Sequence, residues 1–284
     1  MFSRRLQTSA QPSSAPTNYA ASVSQYGVTY TFDQPYPVGQ FVNGDWFVCP
    51  ISSGGSVTIT SITPDYNATQ TTNGFQINPA SMSAQGYDGR GVMPDWNAGL
   101  VPSLSLAVSG GSSIVKGVSA ADPGGVAPDQ NPSLQTAVVL TVLDTPPAQP
   151  AITFRPPYYG TYKPLYTLSD LAESRLPTMA PVGSPPSLTW IRDRFQRVQL
   201  DHYYDWEVWY MHPADNFRPT PGSGQISNYG GVLARDNNDA ILRLMLNDAT
   251  WSQKQAALAN VLQAGIDRCN GATRYGRHYG RDRC

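Results

Sequence analysis

The chain has 284 residues and a net charge of -1, and only 14% of its residues are charged, against about 25% in an average soluble protein. That balance excludes a strongly basic nucleic-acid binder and an acidic disordered tail protein. Lysine occurs only at Lys116, Lys163 and Lys254, and glutamate only at Glu173 and Glu207. These are the usual residues of solvated helix faces, so few exposed helices are expected. The surface left is one of Ser, Thr, Asn, Gln and Tyr, suited to weakly charged contact with sugars or with other subunits.

Residues 1–24 read as an extended arm, dominated by Ser, Thr, Gln, Ala and Pro without an apolar period. No apolar signal core and no run of about 18 apolar residues is present, so a soluble chain made in the cytoplasm is expected.

Residues 25–150 read as a β-domain. Val28, Tyr30 and Phe32 alternate, which predicts a half-buried strand. Asn43-Gly44 lies between Phe41-Val42 and Trp46-Phe47-Val48, the pattern of a hairpin with a two-residue type I′ turn. Val57 to Ile62 is a β-branched strand closed by Pro64. Asn67-Ala68-Thr69 matches a glycosylation acceptor and reads as a polar turn. Leu104, Leu106 and Val108 alternate, and Ile114, Val115 and Val118 predict another strand. Ala137 to Leu143 is a continuous apolar run, fit for a central strand buried on both faces. Short strands punctuated by Gly and Pro predict a mainly β member of the α+β class. Its first domain is then an antiparallel β-sandwich of jelly-roll type.

Residues 151–189 read as a Pro- and Tyr-rich segment wrapped over a neighbouring surface and pinned by aromatics such as Tyr158 and Tyr159. Residues 190–268 read as a small helical region. Trp190 to about Trp209 predicts one helix, and Ala240 to Asn247 a short one capped by Asn238 or Asp239. Thr250-Trp251-Ser252-Gln253 fits a capping box. Beyond it Leu258, Val261, Leu262, Gly265 and Ile266 recur at helical spacing, so the last two helices should form a hairpin. Residues 269–284 are a basic tail rich in Gly, Tyr and Arg. Of the three cysteines, Cys49 reads as a small buried hydrophobe, and Cys269 and Cys284 can pair around the tail.

The common catalytic signatures are missing from this sequence. The densest polar cluster is Asp201-His202-Tyr203-Tyr204-Asp205-Trp206-Glu207, followed by Trp209, Tyr210 and His212. In an enzyme, His202 oriented by Asp201 would be the general base and Tyr203 or Tyr204 a proton donor. Trp206, Trp209 and Tyr210 would stack on a sugar. The favoured reading is plainer: the aromatics plug an interface and the acids face solvent. The spacing of His202, His212, Asp205 and Glu207 fits no standard metal site, and no cofactor is expected. Arg274, Arg277 and Arg281 read as a docking arm for an acidic protein groove rather than a nucleic-acid grip.

Several stretches resemble a loosely defined set of uncharacterised proteins from marine bacteria and their phages. They are Val38-Gly39-Gln40-Phe41-Val42-Asn43-Gly44-Asp45-Trp46, Ile62-Thr63-Pro64, Gln85-Gly86-Tyr87-Asp88-Gly89-Arg90, Phe154-Arg155-Pro156-Pro157-Tyr158, and Gln253-Lys254-Gln255 through Gly265-Ile266-Asp267. Longer members continue into helices similar to the α/α toroid of polysaccharide lyases. The resemblance implies a lyase scaffold reused as a structural part. The expectation is a non-enzymatic tailed-phage virion component, either capsid decoration or tail-associated. It would contact other virion proteins and copies of itself, without a membrane. The alternative is a glycan-binding protein or degenerate lyase.

Overall fold

The computed structural model describes residues 18–80, 84–89, 96–120, 133–181, 183–198, 200 and 230–269. Its first part is a sheet of eight strands: β1 (Tyr19–Gln25), β2 (Val28–Gln40), β3 (Trp46–Val48), β4 (Ser56–Thr63), β5 (Phe75–Ile77), β6 (Leu106–Ser109), β7 (Ser112–Ala120) and β8 (Ser133–Val142). The order is β5-β7-β8-β3-β2-β4-β6, with β1 also paired to β2. Three helices follow: α1 (Leu188–Phe195), α2 (Gly230–Met245) and α3 (Trp251–Asp267). The fold is α+β, a curled half-barrel sheet followed by a small helical region. The expected strands are all present. Among the described residues before Leu143, the only helical piece is a 3-10 turn at Ala98–Leu100.

The curl originates in β2. Its first half pairs with β4 and its last residues with β3. The register slips against β4 at Thr31/Phe32 and against β1 between Thr31 and Tyr36, a stretch in which Pro35 has no N–H to give a ladder. A strand that changes partners at such an irregularity bends the sheet over itself. The two halves then share one core. Val28, Tyr30, Phe32, Val57, Ile59 and Ile62 come from one side, and Phe75, Ile114, Val138, Leu140 and Val142 from the other.

β8 is central and buried on both faces, as its apolar run predicts. Val138, Leu140 and Val142 face the inner core, and Ala137 and Val139 face outward onto Tyr87, Tyr158, Val198 and Leu200. It runs antiparallel to β7 but parallel to β3, a pairing outside the antiparallel expectation.

Three local expectations are corrected. Asn43-Gly44 does turn a hairpin, but not as a two-residue loop. Phe41 and Asp45 close it, Gly44 N–H donates to the Phe41 carbonyl, and only Gly44 has a positive φ, at 89°. This is the three-residue turn with a glycine bulge, favoured because the Asn43 amide is engaged with Asp45. The end of the presumed arm, Tyr19–Gln25, is strand β1. Its one buried apolar residue is Val23, so backbone pairing rather than an apolar period holds it. Residues 1–17 lie outside the described residues. Finally, α1 stops at Phe195 instead of continuing toward Trp209, because Val198 and Leu200 turn onto the outer face of the sheet.

The Pro-rich segment is extended with short 3-10 turns. It bridges sheet and helices: the Phe154 N–H donates to the Tyr166 carbonyl, and Met179 exchanges backbone hydrogen bonds with Met245 and Asn247 after α2. Helix α2 begins at Gly230 and runs through Asn238 and Asp239, so neither is a cap. The nearby Asp236 and Asn237 bond to Arg194 and Arg268, which leaves the backbone free to stay helical. The capping box at α3 is present in full: Thr250 Oγ1 accepts from Gln253 N–H, and Gln253 Oε1 accepts from Thr250 N–H. Thr250→Ala removes the first of these bonds and is expected to cost about 1 kcal/mol in urea unfolding.

Candidate functional site

The most concentrated chemistry among the described residues is a buried ionic tie at the junction of sheet, wrapping segment and helices. Arg155 is wholly buried. Its Nε donates to Asp45 Oδ2 at 2.6 Å, and its Nη1 and Nη2 donate to Asp267 Oδ1 and Oδ2 at 3.0 and 2.5 Å. Nη1 also donates to the Pro156 carbonyl. The fork against Asp267 is the two-pronged geometry that a planar guanidinium favours.

Each partner is placed by its local sequence. The turn after β2 aims Asp45 inward, and Asn43 and Gln25 donate to its two oxygens. The last turn of α3 presents Asp267, which also accepts from the Tyr158 N–H. Gln263, one turn earlier, donates to the Arg155 carbonyl. Burial pushes the Asp267 carboxyl above the usual range, with Arg155 pulling the other way. Burial alone would lower the Arg155 guanidinium, but the two carboxylates outweigh it and hold it charged.

Lys163 closes the far side, donating to the Pro157 and Tyr158 carbonyls at 2.8 and 3.2 Å. Burial, then the nearby positive charge of Arg155, lowers its amine from the ordinary 10.5 to about 7. A group this enclosed and hydrogen-bonded holds elements together; it offers no face to a substrate. A second buried pair, Arg194 with Asp236 at 2.5 Å, joins α1 to α2.

One open feature lies on the helical side. Leu171, Leu176, Trp251, Leu258 and Leu262 line an apolar groove of about 490 Å³ between the wrapping segment and α3, with Asp170 and Arg175 at its edge. Asp170 Oδ2 is engaged in its own turn, accepting from Thr167 N–H and Oγ1.

Of the residues singled out from the sequence, Tyr158 is buried and Tyr159 partly buried, both in the cluster behind β7 and β8. Tyr158 serves packing, and Tyr159 keeps part of its surface open. Asp201, His202, Tyr203, Trp206, Trp209, Tyr210, Arg274, Arg277 and Arg281 lie outside the described residues. Cys49 is buried and free, as expected, and Cys269 is disulfide-bonded. Asn67 forms the expected polar turn, its Oδ1 accepting from the Thr69 and Gln70 N–H groups.

Sequence reasoning missed the tie. One signal was available: Asn260, Gln263 and Asp267 are buried at helical spacing, a polar stripe beside the apolar one. Among the described residues no cluster of metal-ligating side chains occurs, and no helix is long and apolar enough to cross a membrane. Comparison with protein-family models, curated proteins and solved structures finds no match to this chain.

Proposed function

We propose that the chain is a non-enzymatic structural component of a tailed-phage virion, carried as capsid decoration or in the tail and acting through contacts with other virion proteins and copies of itself. The observation that carries this reading is the open apolar groove beside α3, on a body whose densest polar cluster among the described residues is internal. Apolar surface left open on a rigid body is the ordinary mark of a protein contact. The Asp45–Arg155–Asp267 tie supports rigidity, since it pins the sheet, the wrapping segment and the last helix to one guanidinium. The curled sheet is read as an open variant of the β-sandwich common in such particles. The low charge and the resemblance to marine phage proteins point the same way.

The test is quantitative mass spectrometry of purified particles from a phage that encodes the chain. Tens of copies or more per particle are expected, on the order of a symmetric assembly. Absence from particles, with cleavage or tight binding of a polysaccharide by the purified protein, overturns the proposal in favour of a glycan-binding protein or lyase.

A further inference from the structure

We propose that the open edge of β6 pairs with β6 of a second copy of this chain, antiparallel and about a two-fold axis, so that the sheets of two subunits run on into one. The choice of a copy as partner rests on the reading of the chain as an assembly subunit. The edge itself shares no residue with the groove beside α3.

The sheet has three edge strands, β1, β5 and β6. Two are partly covered. The Trp46 indole donates to the Ser24 carbonyl of β1, and segment 84–89 lies against β5, where the Gly86 N–H donates to the Gln76 side chain. β6 has no such cover among the described residues. Across β4 and β6, Val57 faces Val108, Thr58 faces Ala107 and Ile59 faces Leu106. Such antiparallel partners alternate between exchanging backbone hydrogen bonds and not exchanging them. The Thr58 N–H turns away from β6, to the Tyr36 hydroxyl of β2. The Ser56 and Ser109 hydroxyls approach to 3.3 Å, as in the closer, non-bonded kind of pair. The backbone N–H and C=O groups of Ala107 and Ser109 therefore point away from β4, and they have no partner among the described residues. Groups left in that alternation are satisfied by an added strand.

Charge and register select the occupant. No charged residue lies between Asp95 and Lys116, whereas natural edges are ordinarily guarded by one, above all lysine. Two copies meeting here oppose no like charges and bury none. The edge is also self-complementary. With the axis at Ala107, the outward groups of Ala107 meet those of the second copy's Ala107, and Ser109 falls opposite Ser105. Leu106, half-buried in the single chain, falls opposite Val108 of the second copy and continues the apolar face of the sheet. Leu104, 39% exposed just before β6, gains cover from the same seam. The side chains of Ala107 and Ser109 on the other face are exposed and small, so the two strands can close to pairing distance. A strand of four residues makes this a weak, reversible contact.

The test is sedimentation of the full chain over a range of concentrations. A monomer–dimer equilibrium is expected, with Kd on the order of 100 µM. Ala107→Pro removes an N–H that β4 does not use, which an edge strand tolerates. It should weaken the dimer about tenfold or more, because two symmetry-related hydrogen bonds are lost. Ala107→Lys and Ala107→Glu each set two like charges opposite one another across the axis. Each variant alone should stay monomeric, and their equimolar mixture should form a heterodimer. A wild-type chain still monomeric at about 1 mM, or a dimer indifferent to these changes, overturns the proposal. So does a mixture that fails to associate although both variants keep the wild-type melting temperature. Particle composition is a separate measurement, so this contact and the virion reading can fail independently.

Discussion

Replacing Arg155 with methionine is expected to cost about 3–5 kcal/mol of stability in urea unfolding, because it strands two buried carboxylates. Asp45 and Asp267 are each within 3.0 Å of the guanidinium, and Asp267 is almost fully buried. The deficit should narrow toward acid pH. A carboxyl whose folded pKa is raised above its unfolded value contributes stability that is fully present below the unfolded value and lost as pH rises. Asp267 already has this sense, and the loss of Arg155 increases it. The triple change Arg155→Met, Asp45→Asn, Asp267→Asn should recover most of the loss, since it removes the charges together. A loss below about 1 kcal/mol for Arg155→Met, the scale of an exposed pair, would show that the tie is solvated.

The second large effect concerns pH. Lys116 is wholly buried inside the curl, its Nζ donating to the Asn73 carbonyl and lying 5.7 Å from the Phe75 ring centre. Burial lowers its amine from 10.5 to about 7, with Asp65 opposing weakly. Lys163 is lowered to the same value. Between pH 7 and 10.5 the unfolded chain thus binds more protons at both lysines than the folded one. Stability must rise with pH over that window, each lysine adding up to about 1.4 kcal/mol per pH unit.

Above pH 9 an opposing effect sets in. The Cys49 thiol is pushed up from 9.0 to about 12, mainly by burial, so its contribution is lost as pH rises and the unfolded thiol ionises. Stability measured by urea unfolding should therefore climb steeply from pH 7 to about 9 and more slowly above it, because two lysines outweigh one thiol. Lys116→Met should halve the slope between pH 7 and 9, whatever the separate cost of the unpaired Asn73 carbonyl. A slope unchanged by that substitution would falsify the burial of this amine.

The strands were largely legible because their residues alternate or run continuously apolar. Val28, Tyr30 and Phe32 could only be a half-buried strand, and Ala137 to Val142 only a doubly buried one. The capping box of α3 was legible because it depends on four consecutive residues. What escaped the sequence depends on distant partners. The end of α1 is set by Val198 and Leu200 reaching the back of the sheet, and the length of α2 by Asp236 meeting Arg194. Composition marked residues 151–189 as a wrapping segment, but tyrosines were the expected pins. Tyr158 does pack inward, whereas Tyr162 and Tyr166 stay exposed, and the strongest pin is Arg155, which looks like an ordinary surface residue. Each of the three stretches around Asp45, Arg155 and Asp267 also lies within the resemblance noted above. Most of the site expected from the sequence falls outside the described residues.

The tie also constrains the order in which the chain becomes native. Asp45 and Arg155 are 110 positions apart, and Arg155 and Asp267 a further 112. During synthesis from the N-terminus, the sheet and the wrapping segment emerge long before the last turn of α3. Until then the guanidinium has only one of its two carboxylates and an incomplete cover. Contacts so distant in sequence slow folding, and a half-closed sheet exposes apolar surface while it waits. The fully tied fold therefore arises only when translation has passed Asp267.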